Sequence, residues 1–241
     1  MGKNKFYSKG YYSGLSPEPR FGKVLKIAAM QGGQNFLDVG CGDGTFTLLL
    51  KEALKTKEAI GIEISTEAIC KLKEKGIKAY QLDIDEEPFP FENDYFDLVY
   101  CGEIIEHLFN PDHLLDEVWR ILKPGGKCIV TTPNLASWSN RLSLFLGYQP
   151  FATSVSPEHE GVGKLILKGN EGQWGHIRVF TIRALNELLE IHKFKIIDLT
   201  GCPVSIDTSS SRLFVGCLKA IDKTISMFPS LSSRVIVVIE K

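Results

Sequence analysis

The chain has 241 residues, of which 44% are apolar and 24% charged, and its formal net charge is −1. These values predict one globular domain over residues 1–241, and they do not favour a general binder of nucleic acid. We expect a cytoplasmic protein with reduced thiols, because the sequence has no signal peptide, no apolar run of the about 18–20 residues that span a bilayer, and no C-x-x-C pair.

Residues 1–20 are rich in Tyr, Ser, Gly and Lys and are expected to form an N-terminal arm, which a helix over Phe21–Gln31 follows. From Asn35 onward, short apolar segments alternate with helical patterns, as is typical of βαβ units. The alternation predicts a doubly wound α/β fold whose mostly parallel sheet is covered by helices on both faces. The predicted strands are Asn35–Val39, Ala59–Ile64, Ala79–Leu82, Phe96–Cys101, Lys127–Thr132, Lys195–Thr200 and Arg234–Glu240. The predicted helices that follow Phe21–Gln31 are Thr45–Leu54, Thr66–Lys75, Pro111–Leu122, Ile182–His192 and Arg212–Phe228.

The alternation breaks after the fifth predicted strand, where residues 134–175 form an insertion with an apolar helical pattern (Ser139–Gly147) and a Gly-rich loop. An excursion of this length in a compact domain usually has a function, and we expect it to fold over the ligand crevice of the sheet. Three roles stay open: a cap that lines a pocket for an apolar molecule, a small helix packed on the core, and a dimer contact. The apolar residues concerned are Trp138, Leu142, Leu144, Phe145, Leu146, Tyr148 and Phe151.

The first chemical signal is the segment Asp38–Gly44, which reads Asp-Val-Gly-Cys-Gly-Asp-Gly at the end of the first predicted strand. Open α/β sheets bind ligands at such junctions, and glycines let the backbone approach the ligand closely. A dinucleotide-binding loop has the spacing G-x-G-x-x-G and faces a pyrophosphate. The carboxylate of Asp38, two residues before the first glycine, would repel a pyrophosphate but suits a ligand with ammonium and sulfonium charges. The segment therefore predicts a site for S-adenosylmethionine rather than for NAD.

Two further carboxylates end the next two predicted strands. Glu63 stands beside the glycine loop, where it could accept hydrogen bonds from both ribose hydroxyls of the cofactor. Asp83 could accept from the adenine amino group while Ile84 packs on the ring. The order and spacing of these motifs strengthen the prediction of an S-adenosylmethionine site.

With these motifs, and with Pro88–Phe91 and Leu122–Gly126, residues 36–134 resemble the class I, Rossmann-like methyltransferases that carry a UbiE/UbiG-type domain. The resemblance continues more loosely to the C-terminus. It implies a seven-stranded sheet in the order 3-2-1-4-5-7-6 with the seventh strand antiparallel. It also implies that S-adenosylmethionine, which leaves as S-adenosylhomocysteine, contacts the glycine loop and the ends of the neighbouring strands. The cofactor site so predicted comprises Asp38, Gly40, Cys41, Gly42, Glu63, Ile64, Asp83, Ile84, Cys101 and Gly102.

The candidate chemical site combines Glu103, Glu106 and His107, after the fourth predicted strand, with His176 just after the insertion. If the first segment begins a helix, positions 103, 106 and 107 lie at i, i+3 and i+4 and share one face. Such a cluster could bind a divalent cation, or it could position the substrate or supply a general base, and a purely structural role is the third possibility. The pattern E-x-x-E-H resembles that of small-RNA 2′-O-methyltransferases, whose four metal ligands match these residues, and that of ubiquinone-pathway O-methyltransferases.

The cluster favours an oxygen acceptor for the methyl group. Methyl transfer needs alignment of the reactants and an acceptor without its proton, which a carboxylate–histidine cluster can remove. We therefore expect an enzyme, monomeric or homodimeric, that O-methylates a small molecule, for which the insertion favours apolar character. The alternatives are a metal-dependent RNA 2′-O-methyltransferase, an NAD(P)-binding oxidoreductase and a non-catalytic cofactor-binding module.

Overall fold

The computed structural model describes residues 19–156, 158–159, 161–165, 175–203 and 220–241. Seven strands and six helices have defined bounds. The strands are β1 (Asn35–Val39), β2 (Glu58–Glu63), β3 (Lys78–Gln81), β4 (Phe96–Gly102), β5 (Leu122–Pro133), β6 (Lys195–Cys202) and β7 (Arg234–Glu240). The helices are α1 (Pro19–Gln31), α2 (Thr45–Leu54), α3 (Thr66–Glu74), α4 (Pro111–Ile121), α5 (Trp138–Phe145) and α6 (Ile182–Ile191).

All seven strands belong to one sheet, in the order β3-β2-β1-β4-β5-β7-β6. Strands β1 to β5 are parallel to one another, and β7 is antiparallel to both β5 and β6. The predicted fold class and strand order are confirmed. The order reverses between β1 and β4, so a crevice opens at their carboxyl ends, where sheets of this kind bind ligands.

Most predicted bounds differ from the observed ones by one or two residues, and β1, α2 and β7 agree in full. The largest difference is at β5, which begins at Leu122, five residues before its predicted start. The pairing of β5 with β4 shifts register between the partners of Phe96 and Leu98, and this irregularity accommodates the turn-forming residues 124–126. Of the predicted helix Arg212–Phe228, residues 220–225 are helical and residues 212–219 lie outside the described residues, as do residues 1–18 of the predicted arm.

Both faces of the sheet are buried, and successive residues of each strand point to opposite faces. On β5, Cys128 and Val130 belong to the core beneath α4 and α6, whereas Ile129 belongs to the core beneath α1 and α2. The same alternation directs the next two residues, the fully buried Thr131 and Thr132, to opposite faces. This alternation decides where two glutamates of the candidate site lie.

Helix α5 is the apolar segment predicted within the insertion. The indole Nε1 of Trp138 donates to Asp222 Oδ1 over 2.8 Å, which fixes the start of α5 against the segment that precedes β7. The opposite side of α5 is exposed, and the side chain of Phe145 is 85% accessible. Among the described residues, no helix has both the length and the apolar character that crossing a bilayer requires.

Candidate functional site

The glycine loop that joins β1 to α2 forms the floor of the crevice. Gly40 and Gly42 have φ angles of 72° and 57°, in the left-handed region that side chains disfavour. A Cβ on Gly40 would lie 2.8 Å from Cδ1 and 3.1 Å from Cγ1 of Ile104, so a side chain at this position would force the Ile104 side chain to move. The loop therefore leaves bare backbone at the carboxyl end of β1, as the sequence predicts.

Glu63, at the end of β2, holds the glycine loop from the side. Its side chain is buried, and Oε2 accepts from the backbone N–H of Gly42 at 2.9 Å. Oε1 accepts from the N–H groups of Ile64 and Ser65 at 2.8 and 2.9 Å. An ionised carboxylate has acceptor capacity beyond these three bonds, so contact with a ribose stays a prediction that the geometry permits.

Asp38 lies beneath the loop and is 3% exposed. Its Oδ2 accepts from the hydroxyl of Thr47 at 2.7 Å. Burial, opposed by the Thr47 hydrogen bond and assisted by the nearby Glu63 charge, raises the pKa of Asp38 to about 7. A cationic ligand would stabilise the ionised form of this carboxyl group. The bare loop and the buried carboxyl group together fit a cofactor that carries an ammonium and a sulfonium charge.

The other predicted cofactor residues line the same end of the sheet. Asp83 is half-buried, and its Oδ1 accepts from the N–H of Asp85, whereas Ile84 is buried in the main core. At the end of β4, the contact with the neighbouring Cys128, followed by burial, raises the pKa of the Cys101 thiol, and burial raises that of Cys41. The raised pKa and the burial of both thiols disfavour the thiolate form, which is the reactive one. Contacts of these residues with a cofactor remain predictions.

The segment after β4 does not form the helix on which the shared face of Glu103, Glu106 and His107 depends. Only a single 3-10 turn, Ile105–His107, is present, and Glu103 precedes it with φ 54°. Thr131 and Thr132 then draw the two glutamates to opposite faces of the sheet, because Thr131 donates to Glu103 Oε1 and Thr132 to Glu106 Oε2, both at 3.0 Å. The expectation of a shared face is wrong for Glu103.

Glu103 instead forms ion pairs on the α1 side of the sheet. Its Oε2 accepts from Arg234 Nε at 2.9 Å, and Oε1 lies 3.4 Å from Arg20 Nη1. Burial opposes ionisation, but the two guanidinium groups and the Thr131 hydroxyl outweigh it and lower the pKa of Glu103 to about 2. Glu103 is thus a permanent anion whose charge is already matched.

Glu106 faces the other side and is fully buried. Its Oε2 is bonded to Thr132, but its Oε1 has no hydrogen-bond partner within the described part of the chain. Burial, followed by the charge of Glu103, raises the pKa of Glu106 well above its usual value. A buried carboxyl oxygen without a partner is costly, so this oxygen is a candidate contact for a ligand or a reacting group.

Two histidines meet Glu106. The rings of His107 and His176 are 4.8 Å apart in an edge-to-face arrangement, and Nε2 of His176 lies 4.0 Å from Glu106 Oε1. Each of the three residues has one atom that could bind a metal ion, a carboxylate oxygen or an imidazole nitrogen, and these atoms lie within 4.8 Å of one another. His176 therefore lies beside Glu106 and His107, as the resemblance to small-RNA 2′-O-methyltransferases implies, although the contact between His107 and Gly175 spans 68 residues of sequence.

Backbone carbonyls orient both imidazoles. Nδ1 of His107 lies 3.1 Å from the carbonyl oxygen of Gly175, and Nδ1 of His176 lies 2.8 Å from that of Ala152. These contacts assign the proton of each neutral ring to Nδ1 and leave Nε2 as the basic nitrogen. Burial, with the neighbouring His176, lowers the pKa of His107 to about 4, and burial also lowers that of His176. Both rings are neutral at pH 7.

Backbone hydrogen bonds join the segment that follows the insertion to the cluster. The N–H groups of Ile177 and Arg178 donate to the carbonyl oxygen of Glu106 at 2.8 and 3.0 Å. This contact places His176 beside Glu106. The sequence did not predict the groups that support the site, namely Thr47, Thr132 and the carbonyls of Ala152 and Gly175. Of these, only Thr132 had a signal in the sequence, which is its position at the end of a predicted strand.

Comparisons with known proteins give consistent results. Residues 21–159 match the family model of the methionine biosynthesis protein MetW. A demethylmenaquinone methyltransferase of Oceanobacillus iheyensis is 34% identical over 63% of this chain and 64% of its own length, and one of Staphylococcus aureus is 31% identical over 69% and 68%. The chain thus spans about two thirds of these relatives. A structure of an S-adenosylmethionine-dependent methyltransferase from Archaeoglobus fulgidus shares the fold, with a TM-score of 0.58 at 17% identity over 92% of this chain and 91% of that one.

Proposed function

Because the chain belongs to the MetW family and to the class I S-adenosylmethionine-dependent methyltransferases, we propose that it transfers a methyl group from S-adenosylmethionine to an oxygen atom of a small, apolar molecule. The curated relatives named above act on demethylmenaquinone according to their names, which supports a small apolar acceptor. We also propose a cytoplasmic location, which the free thiols of five described cysteines support, and either a monomer or a homodimer.

On the cofactor side, the bound group supplies a methyl on a positively charged sulfur, which is a strong electrophile. Asp38 and Glu63 would hold the charged and the ribose portions, and the backbone of Gly40 and Gly42 would allow close approach. Ile104, packed against Gly40, closes the crevice on the side of β4. These residues bind and align the donor, and none of them needs to take part in proton transfer.

On the acceptor side, the observation that carries the proposal is the buried Oε1 of Glu106, which has no hydrogen-bond partner among the residues that the structure describes and lies 4.0 Å from Nε2 of His176. An acceptor hydroxyl placed between them would donate its proton to the neutral imidazole of His176. In its ionised form, Glu106 would stabilise the resulting imidazolium, and the Ala152 carbonyl keeps the ring in the required tautomer. Phe109 lies two residues after His107, and Ile177 directly follows His176. Both expose apolar side chains, which suit an apolar acceptor.

The same cluster supports a second candidate, in which a divalent cation binds Glu106, His107 and His176 and lowers the pKa of the acceptor hydroxyl. One carboxylate and two imidazoles, each imidazole held by a backbone carbonyl at its other nitrogen, form a ligand set that first-row divalent cations accept. Glu103 takes no part in this three-residue set, because Arg234 and Arg20 engage its carboxylate.

The decisive experiment measures methyl transfer from radiolabelled S-adenosylmethionine to a panel of quinols, catechols and a structured RNA, with and without a chelator. We expect turnover on a phenolic acceptor and its loss in Glu106→Gln and His176→Asn, with the affinity for S-adenosylhomocysteine unchanged. His113→Asn is the control and should leave turnover intact, because His113 lies on α4 and its Nε2 contacts the Glu87 carbonyl oxygen instead of the cluster. Loss on chelation would select the cation, and transfer to RNA alone would replace the small acceptor.

Full activity of Glu106→Gln and His176→Asn would refute the proposed chemical site. The two candidates can be separated without an acceptor. The protein is first stripped of metal with a chelator, which is then removed, and it is titrated with Mn²⁺ and with Zn²⁺ in a calorimeter. If the cation is bound, Glu106→Gln abolishes the binding heat and Glu103→Gln retains it.

A further inference from the structure

Lys75, the residue that follows α3, makes two contacts with the glycine loop and one with the first residue of α2. Its Nζ lies 2.8 Å from the carbonyl oxygen of Asp43, 3.0 Å from Asp43 Oδ2 and 2.6 Å from the hydroxyl of Thr45. The side chain of Lys75 is 30% exposed. An ammonium group donates up to three hydrogen bonds, and here all three acceptors belong to the loop and to the first residue of α2.

The packing around these contacts shows that α3 is the wall behind the loop. A Cβ on Gly44 would lie 2.5 Å from Cδ2 of Leu72 and 2.7 Å from Cδ1 of Ile77. On the other side, Gly42 is held by Glu63 of β2. The consecutive residues Gly42 and Asp43 are therefore fixed from two different elements, one by a carboxylate and the other by an ammonium group.

Asp43 links the ammonium group to the start of α2. Its Oδ1 accepts from the N–H of Thr45 at 3.0 Å, and its Oδ2 accepts from the Thr45 hydroxyl at 2.9 Å. Partial burial opposes ionisation, but the Thr45 N–H and Lys75 outweigh it and lower the pKa of Asp43. The chain of contacts runs from α3 through Lys75 and Asp43 into the first turn of α2.

We propose that Lys75 is a positioning residue for cofactor binding, which holds the glycine loop in its binding conformation before the cofactor arrives. The inference rests on the proposed function. Glycines lose more conformational freedom on ordering than other residues. If a loop with glycines at alternate positions became ordered only when the cofactor binds, this loss of entropy would weaken the binding. Lys75 and the close packing at Gly44 remove that loss in advance.

The test replaces Lys75 with Met, which keeps the apolar stem and removes the ammonium group. We expect the Kd for S-adenosylhomocysteine and the KM for S-adenosylmethionine to rise about three- to tenfold, in the range of a partly exposed set of charge-assisted hydrogen bonds, with kcat unchanged. Lys75→Arg should restore most of the affinity. Lys71→Met is the matched control, because Lys71 lies one turn earlier on α3 and pairs with Glu67 at 2.7 Å instead of with the loop.

A readout without any ligand completes the test. Backbone amide exchange of residues 42–48 should be faster in Lys75→Met than in the wild-type protein and in Lys71→Met. Unchanged exchange, a Kd within twofold of wild type, or a loss confined to kcat would overturn the proposal. Absence of S-adenosylhomocysteine binding in the wild-type protein would instead refute the proposed function, and the exchange measurement would still decide the role of Lys75.

Discussion

Substitution of Thr132 by Val isolates the contribution of one hydroxyl to the acceptor site. Thr132 is fully buried and donates to Oε2 of Glu106 at 3.0 Å, while the other oxygen of Glu106 has no partner among the described residues. Valine has nearly the same shape, so the change removes a hydrogen bond without leaving a cavity. A buried acceptor that loses its partner costs about 1–3 kcal/mol. For a chain of this size we expect the Tm to fall by about 2–4 °C for each kcal/mol.

The kinetic effect separates function from packing. The Thr132 hydrogen bond lowers the pKa of Glu106 against the raising effect of burial, so its removal raises that pKa further. Ionisation of Glu106 then requires a higher pH, and the acid limb of the kcat/KM profile should move to higher pH. Thr131→Val is the matched control, since Thr131 is equally buried but serves Glu103 on the opposite face. It should cost stability without moving the profile. Equal shifts in both variants, or none in Thr132→Val, would refute the assignment of Glu106.

Three further predictions follow from the site. Below pH 7 the affinity for S-adenosylhomocysteine should fall by up to about tenfold per pH unit, because the Asp38 carboxyl group, with its pKa of about 7, becomes protonated. Calorimetry from pH 6 to pH 8 should show this slope. The same slope in Asp38→Asn would show that protonation of Asp38 is not its cause. The pKa of His107 is lowered from 6.5 to about 4 in the folded state, so the unfolded state binds more protons between these two pH values. The stability present above pH 6.5 should therefore fall by up to about 3 kcal/mol as the pH falls towards 4. Urea unfolding at several pH values measures this fall, and an equal fall in His107→Gln would exclude His107 as its cause. Gly40→Ala should lose about 1–3 kcal/mol, since φ is 72° and the added Cβ meets Ile104; a denaturant midpoint equal to wild type would show that the loop relaxes freely.

Sequence reasoning was sufficient wherever local pattern and chemistry coincide. The bounds of β1 and α2 follow from an apolar segment, a glycine loop and an amphipathic segment in immediate succession. The placement of Asp38 beneath the loop follows from its position within β1, since alternate residues of a buried strand point to the same face. The strand order followed from the resemblance to class I methyltransferases rather than from periodicity.

The sequence could not locate the two glutamates of the chemical site. The helical spacing of Glu103, Glu106 and His107 predicts one face, but Glu103 has a left-handed backbone and the helix does not form. What separates the two carboxylates is the alternation of two threonines on β5, a feature of tertiary packing that lies 26 to 28 residues away in sequence. The ion pair with Arg234 crosses 131 residues, a distance over which a single sequence carries no local signal.

Calorimetric titration of the wild-type protein with S-adenosylhomocysteine at pH 8 tests the donor assignment most directly. One binding site per chain, weakened in Asp38→Asn and in Glu63→Gln but not in His113→Asn, is the result that the bare glycine loop and its two carboxylates predict. A folded protein that releases no heat with this ligand, or that binds it equally well after both carboxylates are removed, would contradict the assignment of the crevice to the methyl donor.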